Sequence, residues 1–439
     1  MDFAVALTIF ATVFALIYRG RVPREYVVLG GGATMAVYGM VSGFYPLQAV
    51  VGSIYFETLA LCLGMSLVSA VLARSGVFGH IAATTVASSL GNGWWVFLVL
   101  TLMTYGISLV VNNLAAIVIV LPVTLAACRQ MRLNPVPVAI SEIVAANLGG
   151  ASSMIGDFPN MIIASAGRLG FIDFLGGMMA PCLILLAFML LFFNRHRELL
   201  VLRNIGPREP DAQFIERLLA ETAGNPRLAR AAMWLLGATI LGFLLSDWLH
   251  LRPAWIALIA GLFALLLGDF QGDEIAEACG VNDIAFFTGL FVMVGGLIAA
   301  GAGDTLLAII HSMSGGQPTL QLLALMWLAA FLTIFLNAGP TTALFVPVAA
   351  ATGAALDGNA VWWALSLGVL AGSSAALTGA TAGSIAASRV ERFLSANPDM
   401  RAAMGPSGTL DFKGYLRWGL PIMGVFLGLS TLYIIVVAG

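Results

Sequence analysis

Residues 147–160 read NLGGASSMIGDFPN, and this polar stretch lies between two strongly apolar segments. It contains one Asp, two Asn, two Ser, three Gly and one Pro. Irregular polar backbone persists at membrane depth only where protein or water covers it. The stretch therefore predicts an internal polar site. The alternative is a polar turn at the membrane surface, which would not explain why a similar motif recurs later in the chain.

The composition is that of an integral membrane protein. Of 439 residues, 60% are hydrophobic and 10% are charged, and the mean hydropathy is +0.97. Soluble domains average about 25% charged residues. The net charge of −2 gives no electrostatic basis for nucleic-acid binding. The four cysteines form no CxxC pair and lie far from histidines, so neither a metal site nor another cofactor is predicted.

Apolar runs of membrane-spanning length recur along the chain. The N-terminal run has no basic segment before it and no cleavage site, so we expect it to be a retained span. The plain runs cover about 3–18, 26–44, 54–73, 172–193, 231–250, 253–268, 284–300 and 418–437.

Two runs, 94–127 and 319–350, are too long for a single crossing. A helix over 94–127 would reach about 51 Å, whereas the hydrocarbon core is about 30 Å thick. Each run has a polar interruption, VVNNLAA in the first and LNAGPTT in the second. We therefore expect both to be helices broken near mid-membrane.

Two further segments, 136–166 and 360–388, are apolar at both ends and rich in Gly and Ser in the middle, which is typical of re-entrant hairpins. Aligning Gly149 with Gly372 places Gly156 on Gly379 without a gap. The order of motifs is also the same in both halves. The sequence therefore contains an internal repeat.

Charge supports an inverted arrangement of the two halves. With five crossings per half and the N-terminus outside, 16 of the 20 basic residues fall in inside loops, as the positive-inside rule requires. The exceptions would be Arg129, Arg132, Arg168 and Arg252. An odd number of crossings inverts the second half, and inverted repeats with broken helices are typical of secondary transporters.

The predicted fold class is thus an all-α integral membrane protein with about ten transmembrane spans in two inverted repeats, each with a broken helix and a re-entrant hairpin. The expected domains are a first membrane repeat (1–193), a cytoplasmic arginine-rich linker (194–230) and a second, inverted repeat (231–439).

Two carboxylates in the first half stand out. Asp157 precedes Pro159, which suits the first turn of a helix, so Asp157 should lie at that helix's N-terminus as a capping or ion-binding anion. Glu142 lies within an apolar segment and has no predicted helix N-terminus beside it to stabilise a negative charge. A carboxylate inside a membrane usually indicates function, so Glu142 is the candidate for carrying a proton; the alternative is a structural carboxylate paired with an amide.

Enzyme motifs are missing from the sequence. GAGD at 301–304 resembles part of an intramembrane aspartyl protease motif, but the YD pair that such a protease requires does not occur. HExxH, GxSxG and the P-loop are also absent. We therefore predict a non-enzymatic protein without ATP drive of its own.

The chain resembles the ion transporter superfamily that holds the arsenite permeases and the NhaD-type sodium–proton antiporters, and within it the branch of the melanosomal P protein. The resemblance rests on LVVNNLAAIVIVLPVTLA, ISEIVAANLGGASSMIGDFPNMIIAS and, more weakly, NAGPTTALFVPV and GSSAALTGATAGSIAASRVER. It covers most of the chain and keeps the order of elements.

The resemblance implies an ion-binding site formed by both broken helices and both hairpin tips. In the first half the matching positions are Asn112, Asn113, Asn147, Ser152, Ser153, Asp157 and Asn160. In the second half the polar candidates are Asn337, Thr341, Thr342, Ser373, Ser374 and Thr378.

The second half departs from the family pattern. Asn337 is followed by Ala338 instead of a second polar residue, and Gly383 replaces the usual Asn after the turn. These changes weaken the case for sodium coupling. Asn113 also stands where the arsenite branch has an Asp, which disfavours arsenite.

Together these features predict a secondary transporter of the bacterial inner membrane that exchanges a small inorganic cation for protons, as a homodimer in the lipid bilayer. The alternatives are an exporter of an inorganic anion and a non-transporting membrane scaffold that retains the fold.

Overall fold

The computed structural model describes residues 1–202, 209–354, 358–379, 381–404 and 409–438. Within these ranges every regular element is helical, apart from one antiparallel bridge between Leu133 and Val201. Eight helices there are long and apolar enough to cross a membrane, judged by length and composition. The predicted all-α membrane fold is confirmed.

The first half contains ten helices. They are α1 (Asp2–Arg19), α2 (Arg24–Ser42), α3 (Leu47–Gly52), α4 (Phe56–Ser75), α5 (Val77–Ala87), α6 (Gly93–Ser108), α7 (Asn113–Met131), α8 (Pro135–Ser152), α9 (Phe158–Gly167) and α10 (Phe171–Arg195). The connecting segment contains a 3₁₀ turn (Arg197–Leu200) and α11 (Ala212–Thr222).

The second half repeats this order. Its helices are α12 (Pro226–Leu244), α13 (Pro253–Gly268), α14 (Asp273–Ala278), α15 (Val281–Ala299), α16 (Ala302–Ser314), α17 (Pro318–Leu336), α18 (Ala338–Gly353), α19 (Ala360–Ala375), α20 (Thr381–Ala396), α21 (Pro398–Met404) and α22 (Phe412–Ala438).

The repeat is visible in the packing. Helix α2 packs along α15, and α4 packs along α13, each as a parallel pair with close backbone contact at small residues. A Cβ atom on Gly32 would lie 2.6 Å from the carbonyl oxygen of Gly289 in the first pair. A Cβ atom on Gly64 would lie 2.1 Å from the carbonyl oxygen of Ala257 in the second. Each half thus contributes one helix to each pair, as an inverted repeat requires.

The long run 94–127, expected as one broken crossing, is instead a re-entrant hairpin formed by α6 and α7. Helix α7 runs back to the end where α6 began. Arg197 of the connecting segment lies 4.7 Å from the ring of Trp94 at the start of α6. The N–H of Asn134, just after α7, donates to the carbonyl oxygen of Leu200 in the same segment (2.8 Å). Both ends of the hairpin therefore meet the connecting segment.

The segment 136–166, expected as the hairpin, is instead the broken crossing formed by α8 and α9. Helix α8 starts beside the connecting segment and runs parallel to α6, with Thr101 hydrogen-bonded to Ser141 (3.1 Å). Helix α9 continues to the far end, where Thr58 near the start of α4 donates to the carbonyl oxygen of Met161 (3.5 Å). The two roles predicted for these segments are exchanged.

The second half has the same exchange. In place of the expected broken crossing, α17 and α18 form the hairpin, because Gly353 at the end of α18 packs on Val361 at the start of α19. Helices α19 and α20 form the broken crossing, and Arg389 of α20 donates to the carbonyl oxygen of Val118 in α7 (3.4 Å). Each repeat still contains one hairpin and one broken helix, so the predicted fold class holds.

The exchange also corrects the charge distribution. Arg129 and Arg132 were expected outside, but the hairpin brings them to the end that holds the connecting segment. Among the described basic residues, only Arg168 and Arg252 lie at the other end. We call these the arginine-rich end and the arginine-poor end. The corrected fold satisfies the positive-inside rule better than the predicted one.

The core of the molecule lies around α8 and α19, in which every residue is buried. Helices α6 and α10 flank α8, and α17 and α22 flank α19 in the same way. Because each broken helix is enclosed by its own repeat, its interruption lies inside protein and not in lipid.

Candidate functional site

A cavity of about 370 Å³ extends from the arginine-rich end to the middle of the molecule. Arg24 and Asp283 line its mouth, and Tyr18 at the end of α1 lies beside them. Five of the predicted site residues line its inner part: Asn112, Asn113, Asp157, Asn337 and Thr378. The tips of both hairpins and the breaks of both broken helices therefore meet at one cavity.

The first-half residues form a polar cluster. Asn113 at the start of α7 donates from Nδ2 to Asp157 Oδ2 (3.0 Å) and to Asn147 Oδ1 (3.5 Å). Asn113 is 6% exposed, and its Oδ1 has no hydrogen-bond partner among the described residues. Asn147 donates to Ser374 Oγ of the second half (3.4 Å). The cluster thus combines a carboxylate with one amide oxygen, Asn113 Oδ1, that has no partner among the described residues.

Asp157 is the N-cap of α9, as the sequence predicted. Its Oδ1 accepts from the N–H of Phe158 (2.9 Å), and Pro159 lies in the first turn. The positive end of the helix dipole favours the ionised carboxylate at this position. Asn112 caps α7 in the same manner, accepting from the N–H of Ala115 (2.8 Å). Two helix N-termini therefore point toward the cavity.

The remaining first-half candidates hold the break of the broken helix together. Asn160 donates to the carbonyl oxygens of Gly150 and Ser153 (both 3.0 Å) and accepts from Ser366 Oγ of the second half (2.9 Å). Ser153 Oγ donates to the carbonyl oxygen of Leu109 in the hairpin turn (2.5 Å). Ser152 is hydrogen-bonded to Tyr105 (2.8 Å). None of these three candidates lines the cavity.

Three glycines at the break between α8 and α9, Gly149, Gly150 and Gly156, are required for close packing. None of the three has positive φ. A Cβ atom on Gly156 would lie 2.3 Å from the carbonyl oxygen of Ser108, and one on Gly149 would lie 2.3 Å from that of Tyr105. The glycines therefore let α8 and its break contact the α6–α7 hairpin.

In each half we call the place where the hairpin turn meets the break of the broken helix the tip. The second-half tip is closed by its own hydrogen bonds. Asn337 Nδ2 donates to the carbonyl oxygen of Thr378 (3.1 Å), and the N–H of Ala338 donates to that of Gly379 (3.1 Å). Asn337 has φ +77° and ψ 159°, a conformation normally confined to glycine. Thr378 Oγ1 donates to the carbonyl oxygen of Ile334 (3.1 Å). The hairpin and the break are thus joined directly.

The other second-half candidates are turned away from the cavity. The hydroxyls of Thr341 and Thr342 donate to the carbonyl oxygens four residues earlier, those of Asn337 and Ala338. Ser373 Oγ donates to the carbonyl oxygen of Leu370. All three side chains are buried and none lines the cavity, and Ser374 reaches the cluster only through Asn147.

Glu142 lies deep in α8, with no solvent exposure. Thr124 of α7 donates to its Oε1, and its Oε2 has no hydrogen-bond partner among the described residues. Glu142 does not line the cavity. It sits five residues before Asn147 on one helix, which places it about 7.5 Å further along the helix axis.

The mouth residues were not identified as a site from the sequence. Arg24 at the start of α2 forms an ion pair with Asp283 in the first turn of α15 (2.7 Å). Tyr18 hydrogen-bonds to the carbonyl oxygen of Phe335 in the second hairpin. These partners are distant in the chain, and only the position of Asp283 directly before the predicted span 284–300 would have drawn attention to it.

A second cavity, of about 590 Å³, lies at the arginine-poor end. Its charged lining residues include Glu57, Arg168, Asp247 and Arg252. It reaches Met154 and Met161 of the first broken helix, but the five site residues of the first cavity do not line it. The two cavities therefore approach the centre from opposite ends, and only the first reaches the polar cluster.

Comparisons with known proteins agree with this architecture. Residues 13–368 match the citrate transporter (CitMHS) family. The chain is 46% identical to the magnetosome protein MamN of Magnetospirillum gryphiswaldense over 436 residues, 99% of each chain.

It is also 26% identical to the P protein of Mus musculus over 512 residues, which is 99% of this chain and 60% of the P protein. The sequence-based resemblance to the P-protein branch is thus confirmed. The crystal structure of the YdaH transporter of Alcanivorax borkumensis has the same fold, with a TM-score of 0.54 at 14% identity over 91% of this chain and 88% of that one. The chain is a multi-pass membrane transporter and belongs to the citrate transporter (CitMHS) family.

Proposed function

We propose that this transporter exchanges a small inorganic cation for protons by alternating access. The observation that carries the proposal is the oxygen-rich cluster of Asn113, Asn147 and Asp157 beside a cavity open at one end. Small hard cations prefer carboxylate and amide oxygens as ligands. Discontinuous helices near mid-membrane supply such sites in secondary transporters.

The charges around the cavity favour a cation over an anion. Among its described lining residues, Arg24 is the one basic side chain, and Asp283 holds it in an ion pair. Asp157 adds a carboxylate without a basic partner within the set of described ion pairs. An organic tri-anion of the kind for which the family is named would need more positive charge than this cavity presents.

Proton coupling is assigned to Glu142. A carboxyl group with no exposure and one neutral hydroxyl partner is stabilised in its protonated form, since burial penalises the charge. The same helix carries Asn147 of the cation cluster, so a shift of α8 on deprotonation would be felt at the cluster. Glu142 thus acts through helix position and not by direct contact with the cation.

The pair of cavities supports alternating access. In this proposal the first cavity belongs to the state open to the arginine-rich end, which the positive-inside rule makes the cytoplasmic end. The second cavity would reach the polar cluster in the opposite state. The hairpins and broken helices form the moving unit, and the α2–α15 and α4–α13 pairs form the scaffold.

The similarity to MamN supports a location in a bacterial inner membrane, and specifically in a magnetosome membrane. The assignments of 1–193 and 231–439 as repeats joined by a cytoplasmic linker, 194–230, belong to the same proposal, as does the homodimer.

Two other functions remain as alternatives. The N-termini of α7 and α9 at the cavity favour an inorganic anion, but Asp157 occupies the second of them. A non-transporting scaffold is favoured by the loss of polar residues in the second half, and the intact first-half cluster argues against it.

Flux measurements separate these possibilities. The purified chain would be reconstituted into proteoliposomes with a pH-sensitive dye and tested with a panel of chloride and sodium salts. We expect proton movement that depends on the cation and not on the anion, and that is lost in Asp157→Asn. Asp304→Asn is the matched control, since Asp304 is an exposed carboxylate at a span end. Dependence on the anion would identify an exporter of anions, and no flux with any salt would favour the scaffold.

A further inference from the structure

The two tips are equivalent by the repeat but differ in chemistry. With Gly149 aligned on Gly372, Asn147 falls on Leu370. With Asn112 aligned on Asn337, Asn113 falls on Ala338. The segment 360–388 contains no acidic residue, so Asp157 also has no counterpart there. All three side chains of the first-half cluster are therefore missing from the second half.

The first-half tip contains a hydrogen-bond acceptor without a partner, Asn113 Oδ1. Asn113 Oδ1 is buried without a partner and lies where a Cβ atom on Gly150 would come within 2.8 Å of it. The same Cβ would lie 3.1 Å from Cβ of Asp157. An unpaired buried oxygen next to a carboxylate is unfavourable unless something positive binds it. This arrangement indicates a cation.

Among the described residues of the second half, no buried side-chain oxygen is left without a partner at the corresponding place. Two carbonyl oxygens at its break, those of Thr378 and Gly379, already accept from Asn337 Nδ2 and from the N–H of Ala338, respectively. A cation there would have to displace both donors. The strained backbone of Asn337 is held by these same bonds, so their loss would also release the tip.

We propose that the chain binds one cation per polypeptide, between Asn113, Asn147 and Asp157, and that the second-half tip is a closed structural counterpart without an ion. This inference rests on the proposed function, whose cation site it counts. It gives Asn337 a role in closing the tip instead of a role as a ligand. A transporter of this kind moves one cation in each cycle.

Calorimetric titration of the full-length chain in detergent tests the count. The probes are LiCl, NaCl, KCl and MgCl₂, each titrated separately. At least one should bind with one site per chain and a Hill coefficient near one. Asn113→Ala should weaken that binding by about 10-fold or more, which corresponds to the loss of about 1.4 kcal/mol. Asn113→Ser, which keeps an oxygen, should lose less. Asn337→Gly, checked for a monodisperse profile, should keep the affinity within about 2-fold.

Two sites per chain would overturn the proposal, as would a 10-fold loss in Asn337→Gly (roughly 1.4 kcal/mol) or the absence of binding by all four probes. The flux assay decides the proposed function separately. Cation-dependent proton flux with two bound ions would refute only the single site. One bound ion without flux would refute only the transport proposal.

Discussion

Arg24 and Asp283 form an ion pair at the mouth of the first cavity (2.7 Å), and Arg252 and Glu57 form the equivalent pair at the second (3.3 Å). Each pair joins the N-terminal ends of two parallel helices, one from each repeat. The Arg24–Asp283 side chains are 36% and 26% exposed, against 74% and 41% in the other pair. The same contact is therefore less exposed to water at the first cavity than at the second.

This difference predicts unequal effects on stability. Asp283→Asn should destabilise the protein by about 1–3 kcal/mol, because it removes a charged hydrogen bond from a half-buried position. Glu57→Gln should cost about 0–1 kcal/mol, since exposed ion pairs contribute little. The measurement is the melting temperature of each variant in one detergent. Equal shifts would show that burial does not separate the two pairs.

Gly156, at the break between α8 and α9, gives a second prediction. Gly156→Ala should abolish transport while sparing membrane insertion, because its Cβ would press on the carbonyl oxygen of Ser108. Overpacking of this kind costs about 1–3 kcal/mol. Gly106→Ala is the matched control: Gly106 lies in α6, two residues before Ser108, and its Cβ would meet nothing within 4 Å. Normal flux in Gly156→Ala would mean that the hairpin is free to move away from the break.

Convergence of the hairpins and broken helices could be predicted from the order of the polar motifs. The family resemblance then implied that Asn112, Asn113 and Asp157 belong to one site, and all three line one cavity. The direction of the chain after each interruption could not be predicted. A 34-residue apolar run with a polar middle fits a hairpin and a broken crossing equally well. The choice depends on contacts with residues such as Leu200 that lie far away in sequence.

The residues at the mouth of the cavity could not be predicted from the sequence for a similar reason. Arg24 and Asp283 are 259 residues apart, and neither belongs to a motif. Two predicted second-half hydroxyls do not line the cavity, and the reason is local. Thr341 and Thr342 lie within helical turns, where a threonine hydroxyl can donate to a carbonyl oxygen of its own helix and so is withdrawn from other partners.

Topology provides a third prediction. On a background without the four native cysteines, Arg132→Cys should be labelled from the same side as Arg217→Cys, since both positions are exposed at the arginine-rich end. Asp304→Cys at the other end should be labelled from the opposite side. We expect the first two to face the cytoplasm. Labelling of Arg132→Cys together with Asp304→Cys would restore the broken crossing at 94–127 and refute the hairpin.

Backbone strain at Asn337 gives a fourth prediction. Asn337→Gly loses the hydrogen bond to Thr378 but relieves the positive φ, so its stability should stay near that of the wild type. Asn337→Ala loses the bond and keeps the strain, and should be less stable than Asn337→Gly by about 1–3 kcal/mol. Thermal melting of the two variants checks this. Equal melting temperatures would mean that the tip relaxes to an ordinary conformation.

The last prediction separates the two carboxylates of the first half. Asp157 caps α9 and accepts from Asn113, so Asp157→Asn removes a charge from both the helix terminus and the cation cluster. Cation binding should weaken at every pH. Among the described residues Glu142 is hydrogen-bonded only to Thr124, and it does not line the cavity, so Glu142→Gln should leave cation binding measurable while the pH dependence of transport disappears. Flux and binding would be measured across about pH 5.5–8.5, a range that brackets neutrality.

A Thr124→Val variant serves as the control for loss of the hydrogen bond without loss of the carboxyl group, and it should retain pH dependence with a shifted midpoint. If Glu142→Gln keeps the pH dependence of the wild type and Asp157→Asn loses it, the proton is carried by the capping carboxylate and the two roles are reversed.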